Sequence, residues 1–112
     1  MFVIIYRWHV ALSQETDFQR AWSRITSLYV ERWKSGGSAL FRAEDGTWVG
    51  IARWQSREAR ARAFAAGTLD PEASAVMRTA ISDRLPDIEL ECIDDQWVFP
   101  IPPDSDVSAI GS

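Results

Sequence analysis

At 112 residues the chain is long enough for one domain with one core, and small enough that oligomerisation would add to its stability. Hydrophobic residues make up 46% and charged residues 25%, the composition of an ordinary soluble globular domain. A net charge of −4 argues against broad nucleic-acid binding, which needs a basic face, and a single cysteine, Cys92, excludes an intramolecular disulfide and a cysteine-based metal site.

Phe2–Val10 is rich in Ile, Val, Tyr and Trp and reads as a first strand, apolar on both faces and so central. Its lead-in, Met1-Phe2-Val3-Ile4-Ile5-Tyr6-Arg7, lacks the basic leader and long apolar stretch of a signal peptide. No segment approaches a membrane span, so a cytoplasmic location without membrane association is expected. Ser13 or Thr16 is read as the cap of a helix to about Lys34, with Phe18, Ala21, Trp22, Ile25, Leu28 and Tyr29 on one face and Gly36-Gly37 ending it. Ser38–Arg42 and Thr47–Gln55 flank Glu44-Asp45-Gly46, a hairpin signal. Ser56 caps a short helix to about Ala66 whose Arg57, Arg60 and Arg62 are expected to face water, and Gly67 breaks it. Asp70-Pro71 opens another helix with the stripe Ala73, Val76, Met77, Ala80, Ile81 and Leu85, stopped by Pro86. Ile88–Ile93 alternates as a last strand, and Gln96–Phe99 reads as a possible fifth. Residues 1–99 thus form the domain, and 100–112 a Pro-rich tail expected to be disordered.

The order β-α-β-β-α-β is the split βαβ motif. The fold class is therefore α+β, a ferredoxin-like sandwich whose antiparallel sheet carries its helices on one face. Within it the first and third strands are read as central and parallel, and the fourth as antiparallel to the first. Alternation gives a covered face of Phe2, Ile4, Tyr6, Trp8, Trp48, Gly50, Ala52, Trp54, Ile88, Leu90 and Cys92. Gly50 and Ala52 leave room beside large aromatics, so a cavity bordered by Tyr6, Trp8, Trp22, Tyr29 and Trp54 is expected, unless helix side chains fill it. The open face collects Val3, Ile5, Arg7, His9, Val49, Ile51, Arg53, Glu89, Glu91 and Ile93; its apolar half is the size of patch that pairs with a second copy.

Chemistry is sparse. His9, the only histidine, is assigned to the open face near Glu89 and reads as a charge-paired interface residue rather than a general base. No phosphate loop, second histidine or nucleophile motif occurs, and Glu44-Asp45 and Asp94-Asp95 read as a turn and a solvated loop. Six Trp in so short a chain point to a large core, an interface or an aromatic pocket.

Tyr6-Arg7-Trp8-His9-Val10 running into the Phe18/Trp22 helix, then Glu44-Asp45-Gly46-Thr47-Trp48, then Arg53-Trp54-Gln55-Ser56, resemble the antibiotic biosynthesis monooxygenase superfamily over about residues 2–98. The resemblance implies a dimeric α+β barrel, a homodimer closed through the open sheet face, and a small planar aromatic ligand between helices and sheet. It also implies a cofactor-independent monooxygenase acting on a phenol or hydroquinone, with no cofactor and no metal. A non-catalytic binder or sensor of the same fold is the alternative, and a dimer with a filled core is a third reading. The haem-degrading branch uses an Asn on the first strand, a Trp in the second helical region and a His on the last helix; those positions correspond here to Tyr6, to Ala63 or Phe64, and to Val76, which cannot ligate iron, so that activity is not expected. The expected substrate-binding set is Tyr6, Trp8, Trp22, Tyr29, Gly50 and Trp54, with Tyr6 as polar orienter and the tryptophans as stacking walls; no catalytic residue is assigned.

Overall fold

The computed structural model describes residues 1–104; residues 105–112, most of the expected tail, lie outside the described residues. The elements run β1 (Phe2–Val10), α1 (Glu15–Trp33), β2 (Ser38–Arg42), β3 (Trp48–Trp54), α2 (Arg57–Ala65), α3 (Pro71–Ala80) and β4 (Ile81–Glu91), with a 3-10 turn at Leu12–Gln14. The sheet order is β2-β3-β1-β4. This is the ferredoxin-like α+β arrangement that the sequence implies.

β1 and β3 are central, but they are antiparallel rather than parallel, as is every neighbouring pair. Connectivity requires this. Helix α1 returns the chain across the sheet, so β2 runs in the direction of β1. The tight hairpin then reverses β3, which inserts between them antiparallel to both. In that hairpin the Asp45 carboxylate accepts from the Thr47 N–H at 2.9 Å, and Gly46 takes φ +90°.

Several boundaries differ from expectation. Neither Ser13 nor Thr16 caps α1; its N-cap is Gln14, with no side-chain bond, because the 3-10 turn already carries the chain into the helix. At the other end Lys34, not a glycine, holds the left-handed position, and its N–H bonds back to the Tyr29 carbonyl. Gly36 serves a different need: a Cβ there would lie 3.0 Å from the Arg53 Cβ and carbonyl oxygen. Helix α2 is capped as expected, the Ser56 hydroxyl accepting from the Ala59 N–H at 3.0 Å. Helix α3 is also capped as expected, by Asp70 on the Ala73 N–H at 3.0 Å, with Pro71 at its first turn.

The largest correction concerns residues 81–85. They begin β4 rather than continue α3, so Ile81 and Leu85 are strand residues and Pro86 lies inside a strand. Spacing of four residues fits either element, and here edge pairing with β1 wins. Pro86 is tolerated because β4 is an edge strand and because its register slips between the Ile5 and Arg7 pairings. The Arg7 guanidinium donates to the Pro86 carbonyl at 2.9 Å. Gln96–Phe99 forms no strand; Trp97 and Phe99 stack on each other at 5.5 Å, and the Arg53 guanidinium lies 5.1 Å from the Phe99 ring.

The pairing of β4 with β1 also reassigns its faces. Val3 pairs with Leu90 and Ile5 with Ile88, while Phe2 and Ile4 pair with Glu91 and Glu89. Ile88 and Leu90 therefore belong to the open face, and Glu89 and Glu91 to the helix side, the reverse of the reading from alternation. Cys92 and Ile93 lie beyond the strand. Glu89 is satisfied at the sheet edge by an ion pair with Arg57 of α2. The open face becomes more apolar than expected: Ala39 and Phe41 of β2 join Val3, Ile5, Val49, Ile51, Ile88 and Leu90.

The covered face packs into two clusters. One joins Phe2, Ile4, Ala52 and Trp54 to Ala63 of α2; the other joins Trp8 and Trp48 to Phe18 of α1 and Ala80 of α3. Tyr6 packs against both.

Candidate functional site

Between the two clusters the helix layer stands away from the sheet and leaves a half-enclosed cavity of about 360 Å³. That volume lies within the range of small-molecule sites. Its floor is Tyr6, Trp8, Gly50, Ala52 and Trp54; α1 contributes Trp22, Ile25, Thr26 and Tyr29; α3 contributes Ser74, Met77 and Arg78. Ser35, Ser38, Phe64, Ile81 and Arg84 complete it. All six residues singled out from the sequence, Tyr6, Trp8, Trp22, Tyr29, Gly50 and Trp54, line this one cavity.

Aromatic contacts stiffen both ends. Trp8 meets Phe18 edge-on at 5.2 Å, and Phe18 meets Trp48 at 5.5 Å. At the other end Tyr29 stacks on Phe64 at 5.3 Å, and Trp54 meets Tyr29 edge-on at 5.8 Å. The Tyr6 and Trp8 rings are nearly parallel and stacked, their planes 14° apart with centroids at 5.8 Å, as neighbours two residues apart on one strand face. Such walls suit a flat ligand.

Gly50 does not leave open space as the sequence reading supposed. The Trp8 indole lies over it, so that a Cβ would meet that ring at 3.0 and 3.1 Å. The glycine lets the tryptophan lie flat on the sheet, and the cavity opens above the pair. A large residue at position 50 would displace a core indole before it filled the cavity.

The principal polar group on the floor is the Tyr6 phenol. Arg60 of α2, expected to face water, turns inward and donates two bonds to its oxygen, from Nε at 2.9 Å and from Nη2 at 2.7 Å. The Arg60 guanidinium also lies 4.1 Å from the Phe64 ring centroid. With both acceptor positions of the phenol oxygen engaged, its own O–H remains as a donor. Burial pushes the Tyr6 phenol above its ordinary value, against the opposing pull of the Arg60 hydrogen bond and charge. Burial raises Tyr29 as well, opposed by Arg60. Both are neutral phenols near pH 7.

Arg60, Arg78 and Arg84 were not picked out from the sequence. For Arg60 a signal existed, since it precedes Ala63 and Phe64 by three and four residues and so flanks the inward face of α2. For Arg84 none did, because its position depends on β4 starting at Ile81. Among the described residues no Asp, Glu, His or Lys lines the cavity.

The remaining candidates lie elsewhere. His9 sits on the open face beside Asp83, Nδ1 to Oδ2 3.6 Å, and not beside Glu89, because the register shift brings Asp83 opposite. Asp45 is a turn residue whose carboxyl is held below its usual range by the Thr47 N–H. Asp94 and Asp95 bond to their own loop, at the Gln96 amide and the Trp97 N–H. Among the described residues no group of three or more His, Cys, Asp or Glu is placed to hold a metal ion. Likewise no described helix is long and apolar enough to cross a membrane.

No family model matches the chain. No curated protein matches it in sequence. Solved structures do match. A protein described as an antibiotic biosynthesis monooxygenase from Bordetella bronchiseptica superposes with TM-score 0.69 at 14% identity, over 82% of this chain and 96% of its own. SnoaB, a cofactor-independent oxygenase from Streptomyces nogalater, superposes with TM-score 0.64 at 17% identity, over 89% of this chain and 97% of its own. Rv0793 from Mycobacterium tuberculosis superposes with TM-score 0.66 at 14% identity, over 86% and 98%. The chain has the fold of the antibiotic biosynthesis monooxygenases along nearly their whole length. At these identities the likeness is one of fold.

Proposed function

We propose that the chain is a cofactor-independent monooxygenase for a small planar aromatic of the phenol or hydroquinone type. The observation that carries the proposal is the aromatic-walled cavity between helices and sheet, with the Tyr6 phenol as its oriented donor. The same fold in a cofactor-independent oxygenase supports it. In this reading Trp8, Trp22 and Trp54 stack the ring, Tyr29 and Phe64 close one end, and the Tyr6 O–H holds a substrate oxygen. Where the reacting carbon is a ring CH₂ activated as its enolate, the overall change is R₂CH₂ + O₂ → R₂C=O + H₂O. The substrate supplies four electrons, one oxygen atom enters the product, and the other leaves as water. The protein's part is positioning and exclusion of bulk water. Oxygen uptake on an anthrone and hydroquinone panel, with no added metal or flavin, tests this: consumption that depends on Tyr6 and the tryptophans supports it.

A cavity lining without a carboxylate or histidine among the described residues favours a second reading, a binder or sensor using the same pocket. Ligand binding without oxygen consumption would select it.

We also propose a homodimer closed through the open sheet face. Phe41, Ile88 and Leu90 are 46%, 40% and 42% exposed there, beside Val3, Ile5, Val49 and Ile51. An apolar set of this kind is typical of an interface.

A further inference from the structure

The cavity is one-sided in its chemistry. Its ionised lining groups are the guanidiniums of Arg78 on α3 and Arg84 on β4. Its floor presents a phenol O–H whose oxygen is already held by a third guanidinium, that of Arg60. Asp87 pairs with Arg84 at 3.3 Å, does not line the cavity, and acts on Tyr6 only through its charge. Arg78 makes no ion pair among the described residues. From α1 the facing titratable group is the Tyr29 phenol. Among the described residues a ligand here therefore meets donors and positive charge, and no carboxylate, histidine or lysine.

We infer that the pocket selects a ligand that is already an anion, a flat aromatic carrying an oxyanion, with Arg78 and Arg84 as the residues that set this preference. The inference rests on the cavity being the ligand site. It fits the lining so far as binding goes: a ligand that arrives ionised gives up no proton in order to bind. Aromatic walls bind the ring, and the guanidiniums distinguish the charged form from a neutral compound of equal shape. The oxyanion is a carboxylate or the conjugate base of an acidic hydroxyquinone.

Two matched pairs of probes test it at pH 7.5 by calorimetric titration. They are 2-naphthoate against 2-naphthamide, and 2-hydroxy-1,4-naphthoquinone against its 2-methoxy ether. At least one acid should bind about tenfold or more tightly than its neutral partner, as expected for a hydrogen bond gaining a full charge. Whether both pairs or only one shows the gap tells which oxyanion is preferred. Arg78→Gln and Arg84→Gln, both at exposed positions, should each shrink the gap while leaving the neutral probe's affinity unchanged. Equal affinity within both pairs would overturn the inference but leave the pocket reading intact. A gap that neither Arg variant changes would overturn the assignment to these arginines. If none of the four probes binds, the pocket reading falls and the inference with it.

Discussion

Tyr6 is the residue on which the site turns. It belongs to both core clusters, lines the cavity and holds Arg60 in place. Tyr6→Phe should cost about 1 kcal/mol of stability, the ordinary worth of a lost hydrogen bond, and weaken oxyanion probes more than neutral ones. The phenol also sets a pH signature. Its folded value lies above its ordinary 10.0, so the folded chain keeps the proton longer than the unfolded chain does. The linked stability is fully present below pH 10 and is lost as pH rises from there through the folded value. Tyr29 shifts in the same direction. Thermal melts should fall above pH 10 and fall less steeply in Tyr6→Phe; identical slopes would show that Tyr6 is not the buried group. Gly50→Ala makes a complementary test. Its Cβ would press on the Trp8 ring, and overpacking there should cost about 1–3 kcal/mol in a urea titration. An unchanged midpoint would mean that Trp8 moves freely.

At the scale of elements, the caps and the hairpin were legible in the sequence because each is a local rule. Ser56, Asp70-Pro71 and Asp45-Gly46 do what their chemistry dictates within four residues. Tyr6, Trp8, Trp48 and Trp54 were legible because strand alternation in β1 and β3 is unbroken, so the covered face could be counted off, and Trp22 from the helical spacing of α1. β4 was not legible. Ile81 and Leu85 satisfy helical and extended spacing equally, and only pairing with β1 decides between them. The faces of Ile88–Glu91 were misread because apolar residues were assigned to the covered side, whereas pairing with Val3 and Ile5 puts Ile88 and Leu90 on the open face. Arg84 reaches the cavity through that same strand, which is why it was missed. Helix α2 carries Arg60 to Tyr6, so Ser56→Ala should cost about 1 kcal/mol through its lost cap and should loosen the Arg60 contact. A urea midpoint within error of wild type would mean that packing of Ala63 alone holds the helix. The Asp70 carboxyl, held low mainly by the Ala73 N–H and by Arg24, contributes stability that is present above pH 3.8 and lost as pH falls through its folded value.

The whole molecule carries an apolar open face on one side of the sheet and a cavity on the other. The proposed dimer should dissociate, or the protein become insoluble, when Ile5 and Ile51 are both replaced by Asp; an unchanged dimer mass by light scattering would remove this face from the proposal. The segment Gln96–Phe99, with Trp97 and Phe99 66% and 63% exposed, is proposed to pack on the partner, so truncation before Gln96 should weaken association. Dimerisation of the truncated chain at full affinity would deny the segment that role. The cavity itself is the central claim, and calorimetric titration of 2-hydroxy-1,4-naphthoquinone into the wild-type protein and Ser74→Phe tests it most directly. Ser74 lines the cavity from α3 without belonging to either core cluster, so a phenyl ring there should fill the site and leave the fold, checked by circular dichroism, in place. The account predicts micromolar binding to the wild type, about −8 kcal/mol, and at least a tenfold loss in the variant. No measurable binding to the wild type by this probe or by any of the other three, or equal binding to a folded Ser74→Phe, would contradict it.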